Sequence, residues 1–197
     1  MYLIFDTETT GLPKSWNSPP SVVANWPRLV QIAWETYDER GGQTAACSHI
    51  IKPDGFLIPG DATRIHGIST AKARKVGRDL RQVLEEFRLA IRDASVVVSH
   101  NIQFDENVVL AECHRRGLPS VFHGKTLICT MKQATDFCRI PGQRGYKWPN
   151  LMELHSALFR VHCPETHDAG ADVGVCSKCF FELKTRGIIK IAGKGNA

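Results

Sequence analysis

A change in the spacing of apolar residues along the chain constrains the fold more than any other feature of the sequence. In the first quarter of the chain, apolar residues run or alternate as they do in β-strands, beginning with a buried strand at 2–8. Further strands are predicted at 28–37 and 43–51, joined by the hairpin-type sequence at 38–42. Three strands joined in this way are expected to be antiparallel neighbours.

The remainder of the chain alternates between helical and strand patterns. The elements predicted there are, in order, a helix at 80–91, a strand at 96–98, a helix at 104–116, a strand at 125–131, and helices at 151–158 and 169–185. Strands first, followed by alternating helices and strands, indicate an α/β fold in which helices flank one mixed sheet. We expect five strands, three antiparallel and then two parallel.

Length and composition bound the class of protein. With 197 residues and 43% hydrophobic content, the chain is expected to form a single domain over 1–190, with a flexible tail at 191–197. The apolar runs are far shorter than the roughly 18 residues of a membrane span, and no basic leader is visible, so no membrane contact is expected. Seven cysteines, an odd number, favour reduced thiols and a cytoplasmic location.

The chain is basic, with a formal net charge of +5. This charge suits a polyanionic partner such as nucleic acid, although many proteins this basic bind none. One group of basic residues precedes the first amphipathic helix and is either a phosphate track or a solvated face: Arg64, Lys72, Arg74, Lys75 and Arg78.

Two acids close the first predicted strand. Asp6 and Glu8 are two residues apart, so their carboxylates point to the same face of a strand. The alternative is an edge strand with a solvated acidic face, but the apolar residues at 2–5 favour a central strand. Two like charges at the end of a buried strand call for a cation, because repulsion and burial otherwise raise their pKa values.

Two further segments carry candidate chemistry. Asp105 lies at the start of the helix that follows the buried strand at 96–98, where an acid is often only a capping residue. If that strand lies beside the first, however, Asp105 can reach Asp6. His167 and Asp172 come at the start of the last helix, where Asp168 is the more natural helix cap and an ordinary surface histidine is the simpler interpretation of His167.

Taken together, these segments resemble the DnaQ-like, or DEDDh, 3′-to-5′ exonucleases, a family that includes polymerase III proofreading subunits, RNase T and oligoribonuclease. The resemblance covers nearly the whole chain and rests on three motifs in the family's order: Phe-Asp-Thr-Glu-Thr-Thr-Gly-Leu at 5–12, His-Asn-x-x-Phe-Asp at 100–105 and His-x-x-x-x-Asp at 167–172. The segments at 65–68 and 147–151 are also similar to the family. The resemblance implies an RNase H-like fold.

The resemblance also implies a catalytic quintet made of Asp6, Glu8, Asp105, His167 and Asp172. The four acids would hold two Mg²⁺ or Mn²⁺ ions about 4 Å apart, since hard oxygen ligands suit these metals. His167 would take a proton from the attacking water. The expected reaction releases nucleoside 5′-monophosphates from the 3′ end of single-stranded DNA, in proofreading or repair.

By the same resemblance, the residues expected to bind substrate are Thr9, Leu12, His66 and Asn101. Plain alternatives exist: Leu12 as a core residue, Thr9 as a support of the turn, and His66 as a satisfied loop histidine. The main departure from the family is the long loop at 13–27, which we expect at the surface and which contains Trp16 and Trp26.

Several alternatives stay open at this point. The substrate is either DNA, which we favour, or RNA, in which case the protein would be a 3′-to-5′ exoribonuclease. A third hypothesis is that the chain binds nucleic acid without catalysis. A polymerase partner or a homodimer is compatible with the sequence. The pair Cys176 and Cys179 has the spacing of half a zinc site, but we expect both to pack against the sheet, because no second pair is present.

Overall fold

The computed structural model of the chain describes residues 1–163 and 167–191. Most of the tail predicted at 191–197 lies outside these residues. The strands are β1 (Tyr2–Thr9), β2 (Leu29–Tyr37), β3 (Gln43–Ile50), β4 (Val96–Ser99), β5 (Thr126–Cys129), β6 (Pro141–Gly142) and β7 (Gly145–Tyr146). The helices are α1 (Gly60–His66), α2 (Thr70–Val76), α3 (Leu80–Arg92), α4 (Ile102–Arg116), α5 (Thr130–Gln133), α6 (Thr135–Cys138), α7 (Leu151–Phe159) and α8 (Ala169–Thr185).

The main sheet has five strands in the order β3-β2-β1-β4-β5. β1 pairs antiparallel with β2, and β2 pairs antiparallel with β3, whereas β4 and β5 join in parallel. The predicted mixed sheet of three antiparallel and two parallel strands is therefore confirmed. β1 is central, as its apolar start indicated.

Alternation along β1 divides the core between the two faces of the sheet. Leu3 and Phe5 are fully buried in one cluster with α3 and α4, and Ile4 is fully buried in a second cluster with α8. Burying a side chain of this size contributes roughly 1.5–3 kcal/mol. The same alternation continues to the end of the strand, so Asp6 and Glu8 share the α8 face with Ile4, whereas Thr7 shares the α4 face.

Several short elements were not predicted. α1 and α2 have seven residues each, and the β6–β7 hairpin has two-residue strands, which is too little sequence to show a period. The strand predicted at 125–131 ends at Cys129, because Thr130 and Met131 begin α5.

The loop at 13–27 differs from the expected surface loop. It contains a short 3-10 helix (Val23–Asn25) and buries Asn25 and Trp26. Arg115 of α4 holds it by donating to the carbonyls of Val23 (2.5 Å) and Trp26 (2.6 Å). This part of the loop is therefore fixed to the core.

The cysteine pair of the last helix packs as expected. Cys176 and Cys179 are buried in the cluster between α8 and the sheet, and both are free thiols. Across the described ranges, no helix combines the length and the apolar character needed to cross a lipid bilayer.

Candidate active site

The unequal lengths of β1 and β4 create an opening at one end of the sheet. β4 pairs with β1 only from Tyr2 to Ile4, so β1 continues past the end of β4 and carries Asp6 and Glu8 with it. The chain leaving β4 enters α4 in this space. Acids of α4 and of α8 can therefore approach the same stretch of β1 from the two faces of the sheet.

Asp105, in the first turn of α4, is buried at this opening. Its two carboxylate oxygens accept hydrogen bonds from the hydroxyls of Thr7 (2.6 Å) and Ser99 (2.7 Å). Burial raises the pKa of Asp105 to about 6, although these hydrogen bonds lower it. Thr7 and Ser99, which the sequence analysis did not single out, thus fix the orientation of this carboxylate.

The two acids of β1 are crowded by other carboxylates. Burial raises the pKa of Asp6 well above its usual value, and the charges of Asp105 and Asp172 raise it further. Burial likewise raises the pKa of Glu8 to about 8, with Asp172 and Asp105 as the next causes. A cluster of this kind favours the binding of a cation, which removes the repulsion.

The start of α8 brings the remaining predicted residues to the same place. Ligand atoms of Glu8, His167 and Asp172 all lie within 4.8 Å of one another, a spacing that suits a shared metal ion. His167 has a left-handed backbone (φ 44°), which is uncommon for a residue other than glycine. Such strained residues are often found at functional sites.

Asp168 is the helix cap that its position suggested. Its side chain accepts a hydrogen bond from the backbone of Ala171 (3.1 Å). Gln31, which pairs with Glu8 across β1 and β2, donates to Asp168 (3.0 Å) and accepts from the backbone of Ala169 (3.3 Å). Gln31 therefore ties the start of α8 to the sheet, a role that needs tertiary contacts and left no signal in the sequence.

His66 lies at the end of α1 and is largely buried. Its Nδ1 accepts from the backbone of Ile68 (3.1 Å), whereas its Nε2 is buried without a hydrogen-bond partner among the described residues. Burial lowers the pKa of His66; the backbone of Thr9 opposes this shift and the nearby His167 adds to it. His66 therefore lies close to the backbone of Thr9 and to His167, two of the other predicted residues.

The three other residues expected at the substrate differ in character. Thr9 supports the turn, since its hydroxyl donates to the carbonyl of Gly11 (2.7 Å). Leu12 is 73% exposed, which excludes the core alternative. Asn101 caps α4 in a left-handed conformation (φ 72°), and its side chain makes no capping hydrogen bond.

The preceding histidine, His100, is a structural residue. Its ring contacts the Thr130 hydroxyl (2.9 Å) and the Pro149 carbonyl (3.0 Å), and burial lowers its pKa to about 4. It therefore stays neutral near pH 7 and joins the start of α4 to the segment before α7.

The basic group before the first amphipathic helix is not uniform. Arg78 forms a two-pronged salt bridge with Glu86, and Arg64 pairs with Asp61, which reduces their availability for phosphate. Three members are exposed on α2 without a salt bridge to a described acid: Lys72, Arg74 and Lys75.

The architecture is that of the RNase H-like exonuclease fold. E. coli exonuclease I, in a crystal structure with a dA16 oligonucleotide, superposes with a TM-score of 0.74 at 20% sequence identity, over 94% of this chain and 41% of that one. In its zinc-bound form in complex with single-stranded DNA, the same enzyme gives a TM-score of 0.73.

Sequence comparison adds the family. The exonuclease family that includes RNase T matches residues 3–180, and the chain belongs to that family. The PolC-type DNA polymerase III of Streptococcus sanguinis (strain SK36) is 32% identical over 180 residues, which is 91% of this chain and 11% of the polymerase. The 3′-5′ exonuclease DinG of Bacillus subtilis (strain 168) is 31% identical over 186 residues, 92% of this chain and 17% of that protein.

Proposed function

We propose that the chain is a metal-dependent 3′-to-5′ exonuclease of the DEDDh type, which releases nucleoside 5′-monophosphates from the 3′ end of single-stranded DNA. The observation that carries the proposal is the approach of acids from β1, α4 and α8 to one opening of the sheet. No described lysine or arginine forms a salt bridge with Asp6, Glu8 or Asp105 there. The buried charge is therefore left for an external cation.

The donor set fits two Mg²⁺ or Mn²⁺ ions. The four carboxylates supply only hard oxygen ligands, which these metals prefer, and none of the buried thiols is among them. Burial is the main cause of the raised pKa values of Glu8 and Asp105, and the charges of Asp172 and Asp105 add to the shift of Glu8. A bound cation would favour the ionised form of both carboxyl groups. Bound ions would supply the charge that activates a water molecule and stabilises the leaving 3′ oxygen.

The residues of the chain itself would orient the reaction. His167 would accept the proton of the attacking water, because an imidazole titrates close to neutral pH. Its position is set by Asp168 and Gln31, which fix the start of α8. Thr7 and Ser99 would keep both oxygens of Asp105 directed toward the ions.

Substrate contacts would come from the rim of the opening. The exposed Leu12 would wedge against the terminal base, and the backbone near Thr9 would contact the 3′ end. The Nε2 of His66, which has no well-aligned hydrogen bond to a described residue, would donate to the terminal nucleotide, and the side chain of Asn101, which makes no capping hydrogen bond, would bind beside it.

The preference for DNA rests on the relative that is named as a DNA polymerase III, and the direction of hydrolysis agrees with the relative that is named as a 3′-5′ exonuclease. The chain covers only 11% and 17% of their lengths, so their substrates and assemblies enter here as proposals. We propose that residues 1–190 form one exonuclease domain, that it works in the cytoplasm, and that it serves a polymerase or a repair pathway.

A direct assay tests the function. The purified protein is incubated with Mg²⁺ or Mn²⁺ and with single strands of DNA and RNA of the same sequence, each labelled at the 5′ end. We expect DNA to shorten one nucleotide at a time from its 3′ end, faster than RNA. Asp6→Ala abolishes this, whereas Asp54→Ala, which removes an exposed carboxylate paired with Arg116, does not.

The outcomes separate the alternatives. Release of internal fragments from the labelled DNA, or undiminished activity of Asp6→Ala, would contradict the exonuclease proposal. Faster shortening of RNA would replace DNA by RNA as the substrate while leaving the active site as proposed.

A further inference from the structure

The exposed aromatic residues of this protein are few and are not scattered. Of the four tryptophans, Trp26 and Trp34 are buried, whereas Trp16 and Trp148 are 44% and 61% exposed. Tyr146 is the third exposed aromatic residue, at 49%, and every other aromatic ring is buried or half-buried. Exposed rings of this size are informative, because folding normally removes them from water.

Trp16 stands next to the candidate active site on a fixed loop. Its ring lies 5.8 Å, centroid to centroid, from the ring of Phe104, the neighbour of Asp105. The buried Asn25 holds the preceding residue, Ser15, by hydrogen bonds to its backbone nitrogen (2.8 Å) and oxygen (2.9 Å). Trp16 is therefore held in place by the loop even though its ring faces solvent.

Trp148 approaches the same turn of α4 from another segment. Its ring lies 5.8 Å from Nζ of Lys132, which in turn donates to the side chain of Gln103 (3.4 Å). The next residue, Pro149, is buried, and its carbonyl contacts His100 (3.0 Å). Both exposed tryptophans thus flank the first turn of α4, which carries Asp105.

Trp148 belongs to an exposed, basic arm. Residues 141–148, which include the β6–β7 hairpin, are all exposed. The segment 139–148 contains three basic residues, Arg139, Arg144 and Lys147, and no acid. Lys147 pairs with Glu153 of α7 (2.6 Å), whereas Arg139 and Arg144 form no salt bridge with a described acid. Basic residues interleaved with aromatic rings are typical of surfaces that bind single-stranded nucleic acid, whose bases stack on the rings while its phosphates meet the cations.

We propose that Trp16 and Trp148 are stacking platforms for the unpaired bases that precede the 3′ end, and that they make this site specific for single strands. The proposal rests on the proposed function and extends it from the terminal nucleotide to the strand behind it. The occupant is single-stranded DNA rather than a duplex, because paired bases are already stacked and do not expose their faces. It is DNA rather than a protein segment because the arm is basic and its Trp148 lies beside the start of α4, the helix that carries Asp105.

The expected effect of removing one ring follows from stacking energies. Base–aromatic stacking measured by alanine substitution corresponds to roughly 5- to 150-fold in affinity. Trp16→Ala and Trp148→Ala are each expected to weaken binding within this range, and the double variant more. Trp16→Phe and Trp148→Phe retain a ring and should recover most of the loss.

Binding is measured first, without catalysis. The anisotropy of a fluorescent oligo-dT of about 12 nucleotides, a length in the range that such surfaces cover, is followed in EDTA. The matched control is Leu89→Ala, which removes an exposed apolar side chain on α3. Tryptophan-to-alanine variants that bind as tightly as the control would overturn the proposal, as would a blunt duplex competing as well as the single strand.

Kinetics then separates stacking from a merely structural effect. With Mg²⁺ or Mn²⁺, the alanine variants should raise KM for the long oligonucleotide and leave kcat unchanged, and they should leave a dinucleotide substrate unaffected. An equal loss of kcat on both substrates would mean that the rings only support α4, and would refute the proposal. Ring-dependent binding by a wild-type protein that hydrolyses nothing would refute the proposed function and leave the stacking platforms standing.

Discussion

Helix α4 carries two buried carboxylates, Glu112 and Asp105, whose surroundings differ in charge. Glu112 accepts hydrogen bonds from Arg28 (2.8 Å) and from the backbone of Leu29 (3.0 Å), and it forms a salt bridge with Arg115 (3.0 Å). Asp105, about two turns earlier, accepts hydrogen bonds from the neutral hydroxyls of Thr7 and Ser99 and from the backbone of Thr7, pairs with no described lysine or arginine, and faces other acids. Burial alone therefore does not distinguish the two acids; the difference is that no described lysine or arginine forms a salt bridge with Asp105.

Glu112 and Asp105 also differ in which parts of the structure they connect. Arg115 connects Glu112 to the carbonyls of Val23 and Trp26, so the Glu112 cluster fixes the loop that carries Trp16. Asp105 instead joins β1 and β4 to the start of α4 through the hydroxyls of Thr7 and Ser99, but it does so beside other acids and with no described lysine or arginine paired to it. Buried acids with raised pKa values are common at functional sites, which agrees with the proposed role of this cluster.

Replacing Asp105 by asparagine should have the largest effect on activity. Asp105→Asn keeps the shape of the side chain but removes a negative charge from the proposed metal site, and we expect kcat to fall on the order of 1,000-fold or more. In EDTA the variant should be at least as stable as the wild type, because repulsion of Asp6 is relieved. Single-turnover hydrolysis and urea unfolding measure the two effects.

The control for this experiment is Glu106→Gln, one residue further along α4 and half-buried. This variant should change neither kcat nor the free energy of unfolding appreciably. A marked loss of stability in Asp105→Asn would show that the carboxylate is structural, and the contrast with Glu112 would then be wrong.

Replacing Glu112 by glutamine should lower the stability of the protein and leave its kcat unchanged, the opposite of the effect expected for Asp105→Asn. Glu112→Gln leaves Arg28 and Arg115 without their shared anion, and breaking a buried pair in this way costs about 3 kcal/mol. The folded fraction should keep its kcat on a dinucleotide, because the metal site is untouched. Urea unfolding and a kcat corrected for folded protein test this; an unchanged midpoint would contradict it.

The sequence predicted the acids but not the distinction between them. Asp6 and Glu8 follow from strand spacing, and the resemblance added Asp105, His167 and Asp172. Nothing local separates Asp105 from Glu112, because both lie on one helix and only the tertiary structure brings arginines to one of them. Gln31 and Thr7 were missed for the same reason, since their roles depend on partners distant in the chain.

The pH dependence of the stability should show whether Glu8 keeps its raised pKa in the folded protein. Glu8 has its pKa raised from 4.5 to about 8, so between these values the folded protein keeps a proton that the unfolded chain has released. In EDTA, stability should therefore fall as the pH rises through this interval, with a loss in Tm of roughly 10 °C. Mg²⁺ or Mn²⁺ should raise Tm more at pH 8 than at pH 5, because the ions bind the ionised carboxylates.

The reference for this measurement is Glu8→Gln, which removes the titrating group. The difference between the wild-type and variant Tm profiles isolates the contribution of Glu8 from that of all other groups. A wild-type profile parallel to that of the variant, or a metal effect independent of pH, would show that Glu8 is not part of an uncompensated cluster.

The smallest change in stability is expected from a conservative substitution of Arg28, which pairs with Glu112. Arg28 contacts Glu112 through Nε, and its guanidinium lies 4.2 Å from the centre of the Phe56 ring. Arg28→Lys keeps the charge but loses the planar group that stacks on Phe56, so we expect a loss of about 1 kcal/mol in urea unfolding, with activity unchanged. Because Arg115 still pairs with Glu112, this loss should be clearly smaller than that of Glu112→Gln. A loss of equal size would mean that Arg28 alone neutralises the buried acid and that Arg115 serves only the loop.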